Sequence, residues 1–316
     1  MDRDEAERLL GLSREARWTY PSSLGRPVGN DVDPAVQELL ANRDRVVEAA
    51  RFLVADGAVE EATELAANVW RLWMLSRDVA GGRAFLEAVL DGLEARPTRA
   101  RALALYGDGV LAFWQDAQDD LQARNEEALE AARTVDDPDA LALAHLGLSR
   151  VAINAGDYER ARSLAARARE YARGLEPAMS QGPLHTHAQA TRLLGDYEEA
   201  AELFSESLAL NRRIGDQGMV GVELHNLGHV EIHRGNVDEA ARYFAEVGAS
   251  GASDDPYDEA LGLANEAAVA FGRGERKAAL ALLDRAQSVL DENAIELAAD
   301  DRFELDWLRG KLQERS

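Results

Sequence analysis

Histidine is the residue type in this chain whose spacing could do chemistry, since an imidazole binds transition metals and changes its charge between about pH 5 and 8. His225, His229 and His233 are spaced four residues apart, so a helix would carry them on one face, with His185 upstream. Three imidazoles so spaced span about 12 Å, too far for all to bind one ion. A metal site would need one pair plus His185 or a carboxylate. The other interpretations are a pH-responsive or ligand-sensing cluster and, the favoured one, ordinary polar lining of a groove.

The sequence lacks the common signatures of catalysis. It contains no G-x-S-x-G nucleophile elbow and no H-E-x-x-H zinc motif, and its cysteine count of 0 excludes a thiol nucleophile and disulfides. The acid pairs Asp119-Asp120 and Asp254-Asp255 fall at turns, where helix capping explains them. We therefore expect a protein that is not an enzyme, with no catalytic residue, no cofactor and no bound metal.

The helix that would carry the three histidines ends at a turn that recurs along the chain. Turns in which a glycine precedes a polar residue and a helical pattern begin 39, 40 and 39 residues apart, at Gly156, Gly195, Gly235 and Gly274. Counting back by the same interval reaches Asp116 and then Arg77, where the pattern is degenerate but still that of a helix, a turn and a helix. Such self-similarity predicts a solenoid in which each helical hairpin packs on its neighbours.

The hairpin of residues 221–247 illustrates the packing most plainly. Its two helical patterns meet at Gly235-Asn236, which ends one helix and starts the next. Gly228 and Ala240 are small where two antiparallel helices must approach closely, and Phe244 fills the space between layers. This pattern resembles the tetratricopeptide (TPR) repeat. The predicted fold is therefore all-α, a right-handed α-solenoid of about six TPR-like hairpins.

Three segments are predicted from this pattern. Residues 1–33 form an N-terminal helix and an extended arm, residues 34–293 the TPR-like repeat array, and residues 294–316 a C-terminal capping helix. The capping helix has one apolar stripe and a charged back. Asp33-Pro34 is a helix-start signal, whereas Gly182-Pro183 is expected to shorten the helix that contains it.

Packing motifs between residues 34 and 90 carry a second resemblance. An Asn-containing helix, a Gly turn, a Trp-rich helix and a Gly-Arg-x-aromatic-Leu-Glu helix follow one another, at Asn42, Gly57, Trp70 with Trp73, and Gly82 to Glu87. This order is similar to the TPR region of bacterial transcriptional regulators of the STAND class, the signal-transduction ATPases, over roughly residues 35–290. A G-x-x-x-x-G-K-[ST] phosphate loop and a basic helix-turn-helix are absent. The resemblance implies the sensing or protein-binding region of a bacterial regulator, free-standing or as a fragment.

The net charge of -23 argues against nucleic acid as a direct ligand, because contacts to phosphates require a basic surface. The lysines are limited to Lys277 and Lys311. No apolar run is long enough to cross a bilayer, and the first five residues are too charged to begin a signal peptide. We therefore expect a cytoplasmic protein with no nucleic-acid and no membrane partner.

The concave face of such an array is lined by the first helix of each hairpin. Aligning the hairpins on their turns identifies the groove positions of that helix. The predicted binding residues at these positions are Asn68, Arg71, Tyr106, Trp114, Arg150, His185, Arg192, His225, Asn226, His229, His233 and Asn265. An amide offers a donor and an acceptor together, so the asparagines suit the backbone of an extended peptide, as the resemblance to peptide-binding TPR proteins implies. The arginines would meet carboxylates, and the two aromatic residues would give apolar contact.

These features predict a non-catalytic, regulatory scaffold whose concave groove recognises a protein or an extended peptide. The alternative is a small-molecule, metal or pH sensor centred on His185, His225, His229 and His233. A third interpretation is a self-associating scaffold, a homodimer joined through its aromatic-rich first hairpins. Peptide binding should survive a chelator and a pH step from about 8 to 6, whereas a histidine sensor should not.

Overall fold

The computed structural model describes residues 1–17, 33–91, 96–115, 117–249 and 255–314, and regular structure in these ranges is α-helical throughout. The helices are α1 (Arg3–Ala16), α2 (Pro34–Ala41), α3 (Arg43–Ala55), α4 (Val59–Val69), α5 (Arg71–Leu75), α6 (Val79–Leu90), α7 (Arg99–Trp114), α8 (Gln118–Val135), α9 (Pro138–Asn154), α10 (Tyr158–Ala172), α11 (Pro177–Leu193), α12 (Tyr197–Ile214), α13 (Gln217–Arg234), α14 (Val237–Ala249), α15 (Pro256–Gly272), α16 (Arg276–Glu292) and α17 (Ala299–Gln313). The predicted all-α helical-repeat class is confirmed.

The predicted turns coincide with the joints between helices. The four repeat glycines adopt a left-handed backbone with φ of 75°, 86°, 80° and 78°, at Gly156, Gly195, Gly235 and Gly274 respectively. A residue with a Cβ is strained in this conformation, whereas glycine is not. Each of these glycines therefore ends the first helix of its hairpin, and the second helix begins two residues later.

The degenerate turns behave differently. Arg77, between α5 and α6, takes the same left-handed conformation with φ of 55° although it is not glycine. Such a conformation costs a non-glycine residue about 1–2 kcal/mol, so the surrounding helices hold this turn in place. The other degenerate turn, at Asp116, lies outside the described residues.

Contacts between helices group the chain into two compact units. Unit 1 comprises Met1–Ala152 and Ser163–Pro183, and unit 2 comprises Ile153–Arg162 and Leu184–Ser316. The predicted division into a first segment, a repeat array and a capping helix stays a prediction.

The predictions for the N-terminal segment can be compared only in part. α1 continues to Ala16, and the predicted extended arm falls mainly on residues 18–32, outside the described ranges. α2 begins at Pro34, as the Asp-Pro signal predicted. The Asp33 side chain caps it by accepting a hydrogen bond from the amide of Ala35 at 2.8 Å.

The prediction for Gly182-Pro183 is wrong. α11 runs through Pro183 without ending and reaches Leu193. Gly182 is instead required by packing, because a Cβ there would lie 2.8 Å from Cδ2 of Leu146. The proline removes one main-chain hydrogen bond. Met179, one turn earlier on the same helix, is buried.

The core of unit 1 combines apolar packing with a buried ion-pair network. Trp73 stacks on Phe85 with ring centroids 4.5 Å apart. Asp108 is fully buried, and its carboxylate lies 3.2 Å from Nε of Arg83 and 2.7 Å from Nε of Arg124. Burial raises the pKa of Asp108 and the two arginines oppose that rise. This network links α6, α7 and α8 through one carboxylate.

Unit 2 contains two apolar clusters. The first is built from α12 and α13 around the fully buried Phe204 and includes Leu208 and Leu224. The second lies among α15, α16 and α17. Its leucines are Leu283, Leu290, Leu305, Leu308 and Leu312. The apolar stripe of α17 therefore packs on the last hairpin.

Close packing of α13 on α14 depends on Gly228. A Cβ at this position would overlap the ring of Phe244, coming within 2.6 Å of its Cδ1 atom. We expect Gly228→Ala to lower the free energy of unfolding by about 1–3 kcal/mol, because the ring must move out of a packed interface. Urea unfolding followed by circular dichroism measures this change.

Gly221→Ala is the matched control on the same helix. A Cβ there has no atom within 4 Å, so alanine should be neutral or stabilise the helix by about 0.5–1 kcal/mol. Equal destabilisation by the two substitutions would show that the Gly228–Phe244 contact does not control this packing.

Candidate functional site

The acidic side of α17 packs against the first helices of the hairpins in unit 2. Glu304 is 3% exposed, and its Oε1 accepts a hydrogen bond from Nη1 of Arg192 at 2.6 Å. Its Oε2 accepts one from Nε2 of His233 at 2.8 Å and lies 3.6 Å from Nδ1 of His229. One carboxylate therefore joins α17 to both α11 and α13.

Two neighbouring aspartates extend this contact. Oδ2 of Asp300 lies 3.3 Å from Nη2 of Arg192. Oδ1 of Asp301 accepts a hydrogen bond from Nε2 of His225 at 3.2 Å, and its Oδ2 accepts one from the hydroxyl of Tyr257 at 2.6 Å. The charged back predicted for a capping helix thus lies partly inward, because the hairpins supply cationic and imidazole donors for it.

Asn265 determines which nitrogen of His225 carries the proton. Its Nδ2 donates to Nδ1 of His225 at 3.1 Å, so the neutral imidazole keeps its proton on Nε2, which faces Asp301. Two names are used from here on. The unit 2 face is Arg192, His225, His229, His233 and Asn265. The acidic face of α17 is Asp300, Asp301, Glu304 and Trp307.

His233 is enclosed by aromatic rings as well as bonded to a carboxylate. Tyr197 stacks on it with centroids 4.3 Å apart and planes 7° from parallel. Trp307 of α17 lies on it at 4.2 Å and also meets the edge of Phe271 at 5.8 Å. The imidazole side chain is 2% exposed. Removing α17 would therefore uncover an aromatic and cationic surface.

Burial and charge set the protonation states at this contact. Burial acts to raise the pKa of Glu304, but Arg192, His229 and His233 lower it to about 2. Burial lowers the pKa of His229 to about 3, against the opposing effect of Glu304. Burial likewise opposes ionisation of Asp301, and the hydrogen bond from His225 holds its pKa below the ordinary value. At neutral pH the carboxylates are charged and His229 is neutral.

His185 has a different set of partners. Its Nδ1 lies 3.1 Å from both oxygens of Glu223, whose carboxylate is completely buried. Oε1 of Glu223 also accepts hydrogen bonds from Ser207 at 2.6 Å and Asn211 at 3.3 Å. His185 therefore helps to satisfy a buried carboxyl group between α11, α12 and α13.

Three of the predicted site residues of unit 1, Arg71, Tyr106 and Arg150, are linked by a chain of contacts through Trp70. The Arg71 guanidinium lies 4.4 Å from the centroid of the Trp70 ring, and Trp70 meets the edge of Tyr106 at 6.2 Å. Nη1 of Arg150 donates to the Tyr106 hydroxyl at 3.2 Å. Trp114 is 49% exposed at the end of α7. The unit 1 face is Arg71, Tyr106, Trp114 and Arg150.

Two of the predicted asparagines are buried inside the helix packing. Nδ2 of Asn68 donates to Oγ of Ser13 at 3.2 Å, so this side chain is directed to α1. Nδ2 of Asn226 donates to the carbonyl of Val222 in its own helix at 2.9 Å. Their exposed fractions are 5% and 2%. Their assignment to backbone recognition stays a prediction.

Comparisons with known proteins show the fold. No protein-family model matches the sequence, and no curated protein matches it. The structure is similar to that of a Rap protein complexed with Competence and Sporulation Factor, with a TM-score of 0.60 and 15% identity over 98% of each chain. It is also similar to a chain of the APC/C hetero-tetramer Cut9-Hcn1, with a TM-score of 0.59 and 12% identity over 98% of this chain and 53% of that one. For PilF of Pseudomonas aeruginosa the TM-score is 0.51 and the identity is 14%, over 80% of this chain and 99% of that one.

The regular hairpins and these likenesses together decide the repeat type. The chain has the fold of a TPR repeat protein. At these identities the similarity is one of fold, and the TPR frame explains why Arg192, His225, His229 and His233 share a face, since α11 and α13 are first helices of consecutive hairpins.

Among the described residues no group of three or more His, Asp or Glu side chains is placed to hold a metal ion. The nearest carboxylate to the three histidines is already ion-paired with Arg192 at 2.6 Å. No helix in the described ranges has the length and apolarity needed to cross a membrane.

The partners of the unit 2 face were not predicted from the sequence. Asp300, Asp301 and Glu304 are spaced so that a helix carries them on one side, and Trp307 follows three residues later. This spacing is the signal that could have indicated an acidic recognition face. Tyr257, which binds Asp301, gave no such signal because it is the second residue of α15 and resembles an ordinary helix start.

Proposed function

We propose that this chain is a non-catalytic TPR scaffold that binds a protein or an extended peptide on the faces formed by the first helices of its hairpins. The observation that carries this proposal is that the unit 2 face already holds a polypeptide segment. Arg192, His225 and His233 bind the carboxylates of α17 by side-chain hydrogen bonds and ion pairs. A surface with this chemistry is suited to recognising a polypeptide from another molecule.

The likeness to the Rap protein complex adds support. That protein was solved with Competence and Sporulation Factor bound, and the similarity extends over 98% of both chains. A chain of comparable length and the same fold thus binds a partner. The regulatory role, the cytoplasmic location and the STAND-class relationship belong to the proposal as well.

A pH sensor is the second candidate, and one observation favours it. His229 is buried against Glu304 with a lowered pKa, so its protonation would place a charge at the contact between α13 and α17. Under this candidate, protonation of His229 would accompany release of α17, so ligand binding would change as the pH falls below 6.5. A peptide-binding scaffold would be insensitive to chelators. Self-association as a homodimer is the third candidate and predicts a mass that rises with concentration.

Capture of partners from native cytosol tests the proposed function through the unit 1 face. We expect a triple variant with Arg71→Ala, Trp114→Ala and Arg150→Ala to retain at least about tenfold less partner than the wild type, because Arg and Trp are among the side chains that dominate the binding energy of protein interfaces. Quantitative mass spectrometry of the captured proteins measures this ratio.

The matched control carries Arg133→Ala and Arg160→Ala, two exposed arginines on the second helices α8 and α10. It should capture the same proteins as the wild type. If the wild type retains no protein, the scaffold proposal is wrong. If the triple variant captures the same proteins as the wild type, the unit 1 face is not the surface that binds them.

A further inference from the structure

α17 presents its side chains in two sets. Leu305, Leu308 and Leu312 pack with the leucines of α16, while the acidic face turns to α11 and α13. The three carboxylates and the tryptophan of the acidic face occupy positions i, i+1, i+4 and i+7 of the helix. One side of α17 thus carries the charge pattern that α11 and α13 bind, and the other side holds the helix in place by apolar burial.

The unit 2 face matches this pattern position by position. Arg192 meets Asp300 and Glu304, and His225 meets Asp301. His233 receives both the third carboxylate and the ring of Trp307. These donors come from two hairpins, so the match depends on their packing and not on one short sequence motif.

The match between α17 and the unit 2 face is incomplete, because two buried polar atoms of that face lack a hydrogen-bond partner among the described residues. Nε of Arg192 and Oδ1 of Asn265 are buried, yet neither has a hydrogen-bond partner within the part of the chain that is described. A buried polar atom without a partner weakens the binding of whatever occupies the site. A segment that offered an acceptor to Arg192 and a donor to Asn265 would bind this face better than α17 does.

The connection to α17 is compatible with its release. Residues between the end of α16 and the start of α17 are not helical, and Asn293, Ala294 and Glu296 are exposed. Ala294 has a left-handed backbone with φ of 50°, which disfavours an alanine. Ile295 and Leu297 in the same connection are partly buried against the apolar cluster of α15, α16 and α17, so release of α17 would also unpack these two side chains.

We propose that the unit 2 face is a recognition site for an acidic amphipathic helix of a partner protein, carrying carboxylates at i, i+1 and i+4 and an aromatic residue at i+7, and that α17 is its built-in occupant. This inference rests on the proposed function and specifies the partner class. The partner binds by displacing α17. Because α17 is tethered, it competes with an effective concentration on the order of millimolar, so the site is closed to weak or non-matching segments.

Peptide binding to full-length hosts tests the proposal. The probe is a fluorescein-labelled peptide with the sequence of residues 295–316, IELAADDRFELDWLRGKLQERS. The open host carries Asp301→Lys and Glu304→Lys, which repel α17 from Arg192. We expect the probe to bind the open host with a Kd at least about tenfold lower than the wild-type host, measured by fluorescence anisotropy.

The control host carries Asp306→Lys, the same charge change on the same helix but at a side chain that is 64% exposed. It should bind the probe as weakly as the wild type does. Adding Arg192→Ala to the open host should weaken probe binding at least about tenfold. A probe with Asp301→Asn and Glu304→Gln should lose a similar factor on the open host.

A second probe tests the partner chemistry. It keeps the acidic face and the three leucines of α17 in an otherwise alanine-based helix. Binding of this probe to the open host within about threefold of the first probe supports recognition by the pattern alone. Loss of binding would show that the unit 2 face recognises other residues of α17, and the stated partner class would be wrong.

Hydrogen exchange keeps the test decisive if the open host does not fold. Excess probe should accelerate exchange of the α17 amides in the wild-type chain, and a scrambled probe should not. No acceleration at saturating probe, or α17 exchanged between copies with a dimeric mass, overturns the proposal. If the probe binds but no cytosolic protein is captured, the proposed function is contradicted. If proteins are captured only through the unit 1 face and the probe does not bind, this inference alone is contradicted.

Discussion

Replacing Glu304 by alanine is expected to lower the free energy of unfolding of unit 2 by about 3–5 kcal/mol. The substitution leaves the guanidinium of Arg192, 1% exposed, without its closest anion, which lies 2.6 Å away in the native protein. It also removes the acceptor for Nε2 of His233. Asp300 remains 3.3 Å from this guanidinium, but a buried charge that loses its closest partner is far more costly than a lost surface ion pair. Urea unfolding and hydrogen exchange of α17 measure the loss.

The upper limit of this effect is the free energy that holds α17 in place. If α17 leaves the unit 2 face, Arg192 becomes hydrated and the loss stops there. Asp306→Ala on the exposed side of α17 is the control and should change stability by less than about 0.5 kcal/mol. A loss of that small size for Glu304→Ala would mean that the buried ion pair does not hold the helix.

The double variant Arg192→Met with Glu304→Leu separates pairing from packing. Replacing both charges by apolar side chains of similar volume removes the desolvation penalty together with the ion pair. We expect it to recover most of the stability lost by Glu304→Ala alone. Recovery would assign the loss to the unpaired charge, whereas no recovery would assign it to lost side-chain contacts.

Mild acid is expected to loosen the contact between α13 and α17 through His229. Burial lowers the pKa of this imidazole from 6.5 to about 3, so the folded state binds its proton less readily than the unfolded state. Stability is therefore fully present above pH 6.5 and is lost as the pH falls below it. At pH 5 the loss from this one group is about 2 kcal/mol.

The charged and titratable groups around His229 come from each helix packed on it. They are Arg192 on α11, His225 on α13, and Asp301 and Glu304 on α17. Glu304 has its pKa lowered from 4.5 to about 2, so its own contribution is retained down to pH 4.5 and lost below that. The interval between about pH 7.5 and 5 thus isolates the imidazole from this carboxylate.

His229→Gln provides the comparison. Glutamine fills a similar space without titrating, so the variant should lose about 2 kcal/mol less than the wild type between pH 7.5 and 5. Urea unfolding at each pH measures the difference, and His145 in unit 1, whose pKa burial also lowers, contributes equally to both proteins. The assignment of this loss to His229 would be contradicted if the two proteins had the same pH dependence. It would also be contradicted if the wild type were more stable at pH 5 than at pH 7.5.

Local signals in the sequence were sufficient for the hairpins. The left-handed conformation at Gly156, Gly195, Gly235 and Gly274 follows from the absence of a Cβ, so turns could be located by residue type and spacing. Gly182-Pro183 shows the limit of such rules. There the packing of Gly182 against Leu146 outweighs the helix-breaking tendency of the proline.

The histidine helix was also predictable, but its partners were not. Spacing places His225, His229 and His233 on one side of α13, because helix geometry fixes which residues share a face. Their chemistry depends on Asp301 and Glu304, which are 71 to 76 residues away in sequence. No local pattern connects two helices over that distance.

The sequence by itself determined the helices, the turns and the faces on which polar residues lie, since these depend on interactions within a few residues. The tertiary structure decided what the faces meet. It placed Asn68 against α1, joined His185 to Glu223, and turned the carboxylates of α17 inward onto Arg192. These contacts depend on the burial and pairing of charges between helices that are distant in sequence. The sequence pattern of a charged helix side is the same whether that side faces water or an arginine.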